Sequence, residues 1–218
     1  MNRAAAVERL CAKGIVAVVR AKSSEQLIDV ARALAAGGVE CIEITMTTPN
    51  ALKVIAECRK AMGDAAMIGV GSVLSAKVAG EAIAAGAQFV VSPIFKKEIV
   101  DAAHASDLPC VPGAMTPTEI LIATEAGADL VKVFPGGQFG PGYFKDVLAP
   151  MPHLKLTPTG GVDLTTAAEW IKAGARTLGV GSALVTKNAL AAGNMDEIRQ
   201  LAAQYMAIVA ETRKALKK

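Results

Sequence analysis

The 218-residue sequence predicts an α/β protein with a single domain over residues 1–218, a (β/α)8 TIM barrel carrying an additional N-terminal helix. Three observations predict it. Short β-branched, apolar runs alternate strictly with alanine-rich helical stretches, the pattern of a parallel sheet covered by helices. A short phrase recurs four times between a helix pattern and a strand pattern: Ala-Gly-Gly-Val-Glu at 36–40, Ala-Gly-Ala-Gln at 85–88, Ala-Gly-Ala-Asp at 126–129 and Ala-Gly-Ala-Arg at 173–176. Eight strand candidates with no Pro/Gly/Ser-rich linker between them favour closure over an open sheet. The open Rossmann alternative lacks a G-x-G-x-x-G after the first strand.

In chain order, 3–12 reads as a helix that caps the bottom of the barrel, and 15–20 as the first strand. The helix over 24–36 stops at the first phrase, because glycine adopts positive φ past a helix end without penalty. Strand two follows at 41–45. A helix over 50–62 leads to strand three at 67–70, and a helix over 75–85 leads to strand four at 89–92. Strand five at 110–111 is followed by a helix over 118–126 and strand six at 130–134. Strand seven occupies 155–157; a helix over 165–173 feeds strand eight at 177–180, and 196–216 reads as the last helix.

Composition narrows the function classes. The chain is 52% hydrophobic and 20% charged, with a net charge of +3, no block of like charge beyond Lys217-Lys218, and only 4% aromatic residues. No nucleic-acid partner is expected from that balance. Cys11, Cys41, Cys58 and Cys110 form no C-x-x-C, and His104 and His153 lie far apart, so neither a disulfide framework nor a zinc site is expected. Cys41 and Cys110 read as small core residues. No apolar stretch is long enough to span a bilayer, and Glu8 falls where a signal peptide would be apolar. The expectation is a soluble, reduced, cytoplasmic protein without a membrane partner.

Lys132 stands inside Leu130-Val131-Lys132-Val133-Phe134, otherwise a buried-strand run. An ammonium there is costly unless it is paired, reaches water or loses its proton. A desolvated lysine is also the group that attacks a ketone to form a Schiff base. The repeat adds a second residue. Five positions beyond the phrase glycines lie Glu43 (from Gly38), Val91, Lys132 and Gly179, equivalent places near the C-terminal ends of their strands. Alternation then sets Glu43 and Lys132 on one face, above Cys41 and Leu130. A buried acid and a buried amine in register, at the end where active sites of this fold lie, read as a catalytic pair.

Glycine-rich loops follow strands seven and eight: Thr157-Pro158-Thr159-Gly160-Gly161-Val162-Asp163 and Gly179-Val180-Gly181-Ser182-Ala183-Leu184. Loops in those places build phosphate sites from backbone N–H groups. A tight turn at Gly160-Gly161 and a helix cap at Ser182 are the plainer alternative. Other polar residues end strands: Arg20, Thr45, Thr47, Ser72 and Ser92-Pro93. Arg20 suits a carboxylate or a salt bridge to Glu43, and Ser72 suits a carboxylate or a helix cap.

Ile42-Glu43-Ile44-Thr45, Gly71-Ser72-Val73-Leu74, Val131-Lys132-Val133-Phe134-Pro135 and Pro158-Thr159-Gly160-Gly161-Val162 occur in the order seen in 2-keto-3-deoxy-6-phosphogluconate aldolases. The sequence resembles that family from Arg20 to Ser182. The resemblance implies a class I aldolase without metal or cofactor, acting on a phosphorylated 2-keto acid to give pyruvate, and assembled as a homotrimer. By it, Lys132 is the Schiff-base lysine and Glu43 the proton-transferring base. Gly160, Gly161, Gly181 and Ser182 surround the phosphate, and Arg20, Thr47, Ser72, Pro93, Phe134 and Thr159 line the rest of the substrate. The sequence departs at Thr47, where some members have arginine, and at Ser72, where many have threonine. Thr159 is usual in the gluconate branch, whereas Phe139-Gly140-Pro141-Gly142-Tyr143 resembles a galactonate-type relative. Turnover of 4-hydroxy-2-oxoglutarate, a phosphate-binding epimerase, decarboxylase or synthase on the same scaffold, and a non-catalytic sugar-phosphate binder stay open at this point.

Overall fold

The computed structural model describes residues 1–20 and 24–217; Lys218, the end of the basic tail, lies outside them. Helix α1 (Arg3–Lys13) precedes β1 (Ile15–Val19), α2 (Ser24–Ala36), β2 (Cys41–Thr45), α3 (Ala51–Met62) and β3 (Met67–Gly71). Then come α4 (Ala76–Ala84), β4 (Val90–Val91), α5 (Lys97–His104), β5 (Cys110–Val111), β6 (Gly113–Ala114) and α6 (Pro117–Glu125). The chain continues through β7 (Val131–Val133), α7 (Gly140–Leu148), β8 (Leu156–Pro158), α8 (Ala167–Lys172), β9 (Leu178–Val180), α9 (Lys187–Ala192) and α10 (Met195–Leu216). No described helix is long and apolar enough to cross a membrane.

All strand pairings among the described residues are parallel. Six strands in the order β5-β4-β3-β2-β1-β9 form a half-barrel sheet, and β6-β7-β8 form a second, three-stranded sheet. Only Pro112 separates β5 from β6. On the other side Thr159, just past β8, bridges Gly179 of β9. Backbone bonds also cross between the sheets, from Asp129 N–H to the Cys110 carbonyl (3.1 Å) and from Arg176 N–H to the Leu156 carbonyl (2.8 Å).

The recurrent phrase does the same work each time. Gly38, Gly86, Gly127 and Gly174 all take positive φ, between 93° and 104°. The next N–H then returns to a carbonyl five residues back: Val39 to Leu34, Ala87 to Ala82, Ala128 to Ala123 and Ala175 to Trp170. That is the helix-terminating bond pattern that a left-handed glycine permits. One residue later the backbone already pairs with the preceding strand, as in Gln88 N–H to the Ile68 carbonyl (2.7 Å).

Alternation along the strands splits the core into two shells. Ile42 and Ile44 face the helices in the larger cluster, while Cys41 packs with Val16, Met67, Phe89, Val111 and Leu130 on the inner face of the sheets. Ala6 and Leu10 of α1 complete that inner cluster, so α1 closes the end where the strands begin, as the sequence predicts. Arg9 (2.9 Å) and Lys13 (2.6 Å) hold α1 there by pairing with Glu40 at the start of β2.

Some boundaries shift. The strand expected at 89–92 shortens to Val90–Val91, and the fifth strand gains a second piece beyond Pro112, which has no N–H to give a ladder. Helices α5, α7 and α9 were not among the stretches read from the sequence. The start of α7 runs through Gly140-Pro141-Gly142, residues that read as a loop, although proline is well tolerated in a first helical turn.

Candidate active site

The pleat of β2 turns Glu43 inward with Cys41, and β7 turns Lys132 to the same interior. Glu43 is 2% exposed and Lys132 6%. Both line one small cavity of about 20 Å³, with Leu10 and Leu130 among its apolar walls and Thr157, Thr159 and Gly179 among the rest. The register counted from the phrase glycines therefore brings the acid and the amine to a common wall.

Glu43 pays for its position in solvation. Its Oε1 is buried without a hydrogen-bond donor among the described residues. Burial pushes its carboxyl above the ordinary 4.5, against the positive charges of Lys132 and Arg20. Among the described residues neither cation forms an ion pair with it, so the Arg20–Glu43 salt bridge does not form. Room for the carboxylate comes from Gly71, where a Cβ would fall on the Glu43 side chain. The Lys132 Nζ lies 5.1 Å from the centroid of the Phe134 ring, a cation–π contact that turns the stem toward the end of β7.

Thr157 is the cross-strand partner of Lys132. Its hydroxyl donates to the Thr177 carbonyl (3.1 Å) and accepts from the Thr177 hydroxyl (2.8 Å). This buried pair makes a fixed polar wall beside the lysine. Thr157 was not singled out from the sequence, although counting inward positions along 155–157 would have found it.

Thr159 and Gly179 also line a second, larger space, so the interior cavity adjoins an open cleft of about 530 Å³. Arg20 and Phe134 stand on its walls, and so do Gly160, Gly161, Gly181 and Ser182. Gly160 and Gly161 take φ of 87° and 71°, and a Cβ on Gly161 would collide with the Gly137 backbone. The backbone N–H groups of Gly161, Gly181 and Ser182 donate to no acceptor among the described residues, whereas the Thr159–Gly179 bridge turns the Gly160 N–H toward the Gly179 carbonyl. Unpaired amides gathered on one wall are a ready site for an anion.

Two more cleft residues escaped the sequence reading, Asp163 and Lys187. The Asp163 Oδ1 accepts from the Thr165 hydroxyl (2.6 Å) and from the N–H groups of Thr165 (2.8 Å) and Thr166 (2.9 Å). The Thr165 hydroxyl leads the donors that hold its carboxyl below the ordinary 3.8. Thr47, Ser72 and Pro93 line neither space. The Thr47 hydroxyl, on an exposed residue, sits 2.8 Å from that of Thr45. Ser72 takes a left-handed φ of 60° past β3, and it is Ser75 that caps α4. Pro93 is half-buried, with its carbonyl against Gly113.

Comparison with known proteins gives one consistent result. The family model described as "Aldolase: KDPG and KHG aldolase" matches residues 7–201. The 2-dehydro-3-deoxy-phosphogluconate aldolase of Treponema pallidum (strain Nichols) is 36% identical over 197 residues, 89% of this chain and 93% of its own. The 2-dehydro-3-deoxy-6-phosphogalactonate aldolase of Escherichia coli (strain K12) is 32% identical over 171 residues, 78% of this chain and 83% of its own. Among solved structures, KDPG aldolase from Legionella pneumophila, with pyruvate captured as a covalent carbinolamine intermediate, superposes with a TM-score of 0.84. That match is 28% identical and covers 90% of this chain and 96% of the other.

Proposed function

The chain belongs to the KDPG and KHG aldolase family, whose members are carbon–carbon lyases, and on that premise we propose that it cleaves 2-keto-3-deoxy-6-phosphogluconate to pyruvate and glyceraldehyde 3-phosphate through a Schiff base on Lys132. The observation that carries this reading is the pair of buried, oppositely ionisable groups, Lys132 and Glu43, on one cavity that opens toward a cleft with unpaired amides.

The steps follow from those groups. The neutral Lys132 amine adds to the C2 carbonyl, and loss of water gives an iminium. Glu43, directly or through a water, takes the proton of the C4 hydroxyl while the electrons of the C3–C4 bond move into the iminium. Glyceraldehyde 3-phosphate leaves, C3 of the enamine is reprotonated, and hydrolysis returns pyruvate and the free lysine. A carboxyl raised by burial suits Glu43 to give that proton back as well as to take it. The amides of Gly161, Gly181 and Ser182 receive the phosphate, with Arg20, Phe134 and Thr159 along the keto-acid end. In this reading Thr47, Ser72 and Pro93 reach substrate only from the rim.

Thr159 before Gly160-Gly161 favours the gluconate epimer over the galactonate one, and 4-hydroxy-2-oxoglutarate is a further substrate of the same chemistry. The bonds that cross between the two sheets support closure as a single-domain (β/α)8 barrel. The resemblance to the family supports assembly as a homotrimer, to be checked by sedimentation equilibrium; a single-chain mass at every concentration overturns it.

The decisive test is peptide mass spectrometry after incubation with pyruvate and sodium borohydride. A reduced pyruvyl adduct on Lys132, absent without pyruvate, is the expected result, together with faster pyruvate release from the gluconate than from the galactonate epimer. Absence of the adduct removes the lysine mechanism.

A further inference from the structure

Two cations line the 530 Å³ cleft, Arg20 and Lys187. Neither donates a hydrogen bond or forms an ion pair with another described residue. Their places differ. Arg20 directly follows β1, two residues beyond Val18, the cross-strand partner of Glu43, which sets it toward the reacting end. Lys187 opens α9, five residues after Ser182 in the chain, and lines the cleft with Gly181 and Ser182. Its backbone is fixed, because the Thr186 hydroxyl accepts the Ala189 N–H (3.0 Å) and donates to Glu197 (2.9 Å). The acids beside it are engaged elsewhere: Asp163 accepts from Thr165 and Thr166, and Glu197 from Thr186 and Asn194. An exposed lysine is ordinarily a solvated one. This one lines the same cleft as the unpaired amides and forms no ion pair with a described residue.

An amide cradle offers partial charges and no net charge, so a phosphate dianion held there stays uncompensated unless a cation reaches it. We propose that Lys187 is the phosphate-reading cation of this cleft: its ammonium pairs with the phosphate held on the amides of Gly161, Gly181 and Ser182, and so sets the preference for phosphorylated over unphosphorylated aldehydes. The assignment rests on the aldolase reading for its substrate and on the cleft alone for its anion. The lysine is a compact point charge on a flexible stem, suited to follow a phosphate, and the pairing weakens as salt screens it.

The test has two readouts on the full chain. Calorimetric titration with inorganic phosphate at low salt compares wild type, Lys187→Ala and Lys187→Arg. Aldol addition of pyruvate then compares kcat/KM for D-glyceraldehyde 3-phosphate with that for D-glyceraldehyde. Lys187→Ala weakens phosphate binding by about 10-fold and lowers the kcat/KM ratio by a similar factor, mainly through KM, and Lys187→Arg recovers most of both. Equal phosphate affinity in wild type and Lys187→Ala, or no phosphate binding by wild type, overturns the assignment. Phosphate binding that depends on Lys187 in a protein that forms no borohydride-trapped adduct sinks the aldolase reading and leaves the cation in place.

Discussion

At the scale of single residues, Glu43 is the position where burial costs stability. One oxygen of its carboxyl lacks a donor among the described residues, and burial raises its pKa above the ordinary 4.5. The sign follows from which state holds the proton more tightly. A raised value in the folded chain means that, as pH climbs above about 4.5, the unfolded chain releases its proton first and folding loses stability. Below that pH both states are protonated and the penalty vanishes. Glu43→Gln removes the titration, so in urea denaturation it is expected to gain on wild type as pH rises from 4.5 to 7.5; parallel curves for the two proteins would refute that. Turnover should fall by about 10²- to 10⁴-fold, the contribution typical of a positioned base, while the pyruvate adduct on Lys132 still forms. Lys132 and Glu43 were legible in the sequence because a buried charge interrupts an apolar strand and the register is fixed by a repeated glycine. Lys187 was not legible. It is exposed, opens a six-residue helix and follows no period, so only the folded cleft distinguishes it from other surface lysines.

At the scale of elements, what the sequence carried was punctuation. The four Ala-Gly phrases end α2, α4, α6 and α8 with the positive-φ glycines and return bonds expected of them, because a helix stop is decided by one residue without a side chain. Strand alternation was equally readable, which is why Cys41 and Leu130 lie in the inner cluster beneath Glu43 and Lys132. Helices α5, α7 and α9 were missed for a common reason. They are six to nine residues long, α5 and α7 lack a closing glycine, α7 begins with glycine and proline, and α9, though closed by Gly193, is only six residues long. Packing against the sheet, which a local pattern does not report, stabilises such short helices. The polar strand ends separated by loop path: Arg20, Thr159 and Ser182 meet in one cleft, whereas Thr47, Ser72 and Pro93 are not among its lining residues. Strand order brings these ends to one side, but where a loop carries its side chains depends on contacts far away in sequence.

At the scale of the whole molecule, the two ends of the chain are fastened by one side chain. Arg213 on α10 donates to the Ala12 and Cys11 carbonyls at the end of α1, and to the Arg176 carbonyl just before β9, each at 2.8 Å. The last carbonyls of a helix lack intrahelical partners, and a cation there also faces the negative end of the helix dipole. Gly14 makes the approach possible, since a Cβ there would lie 2.7 Å from the guanidinium. The consequence reaches the site, because α1 supplies Leu10 to the wall of the cavity that holds Lys132 and Glu43. Arg213→Ala should therefore lower unfolding stability by about 2 kcal/mol, the scale of charged hydrogen bonds discounted for partial exposure. Arg213→Lys should recover less than half of it, because one ammonium does not span three carbonyls as a planar fork does. Urea midpoints measure the loss, and amide exchange at Leu10 and Cys11 locates it: exchange should quicken in α1 ahead of the strands. Unchanged protection in α1, with the loss spread evenly over the molecule, would mean that Arg213 contributes to general packing and does not fasten the floor of the cavity.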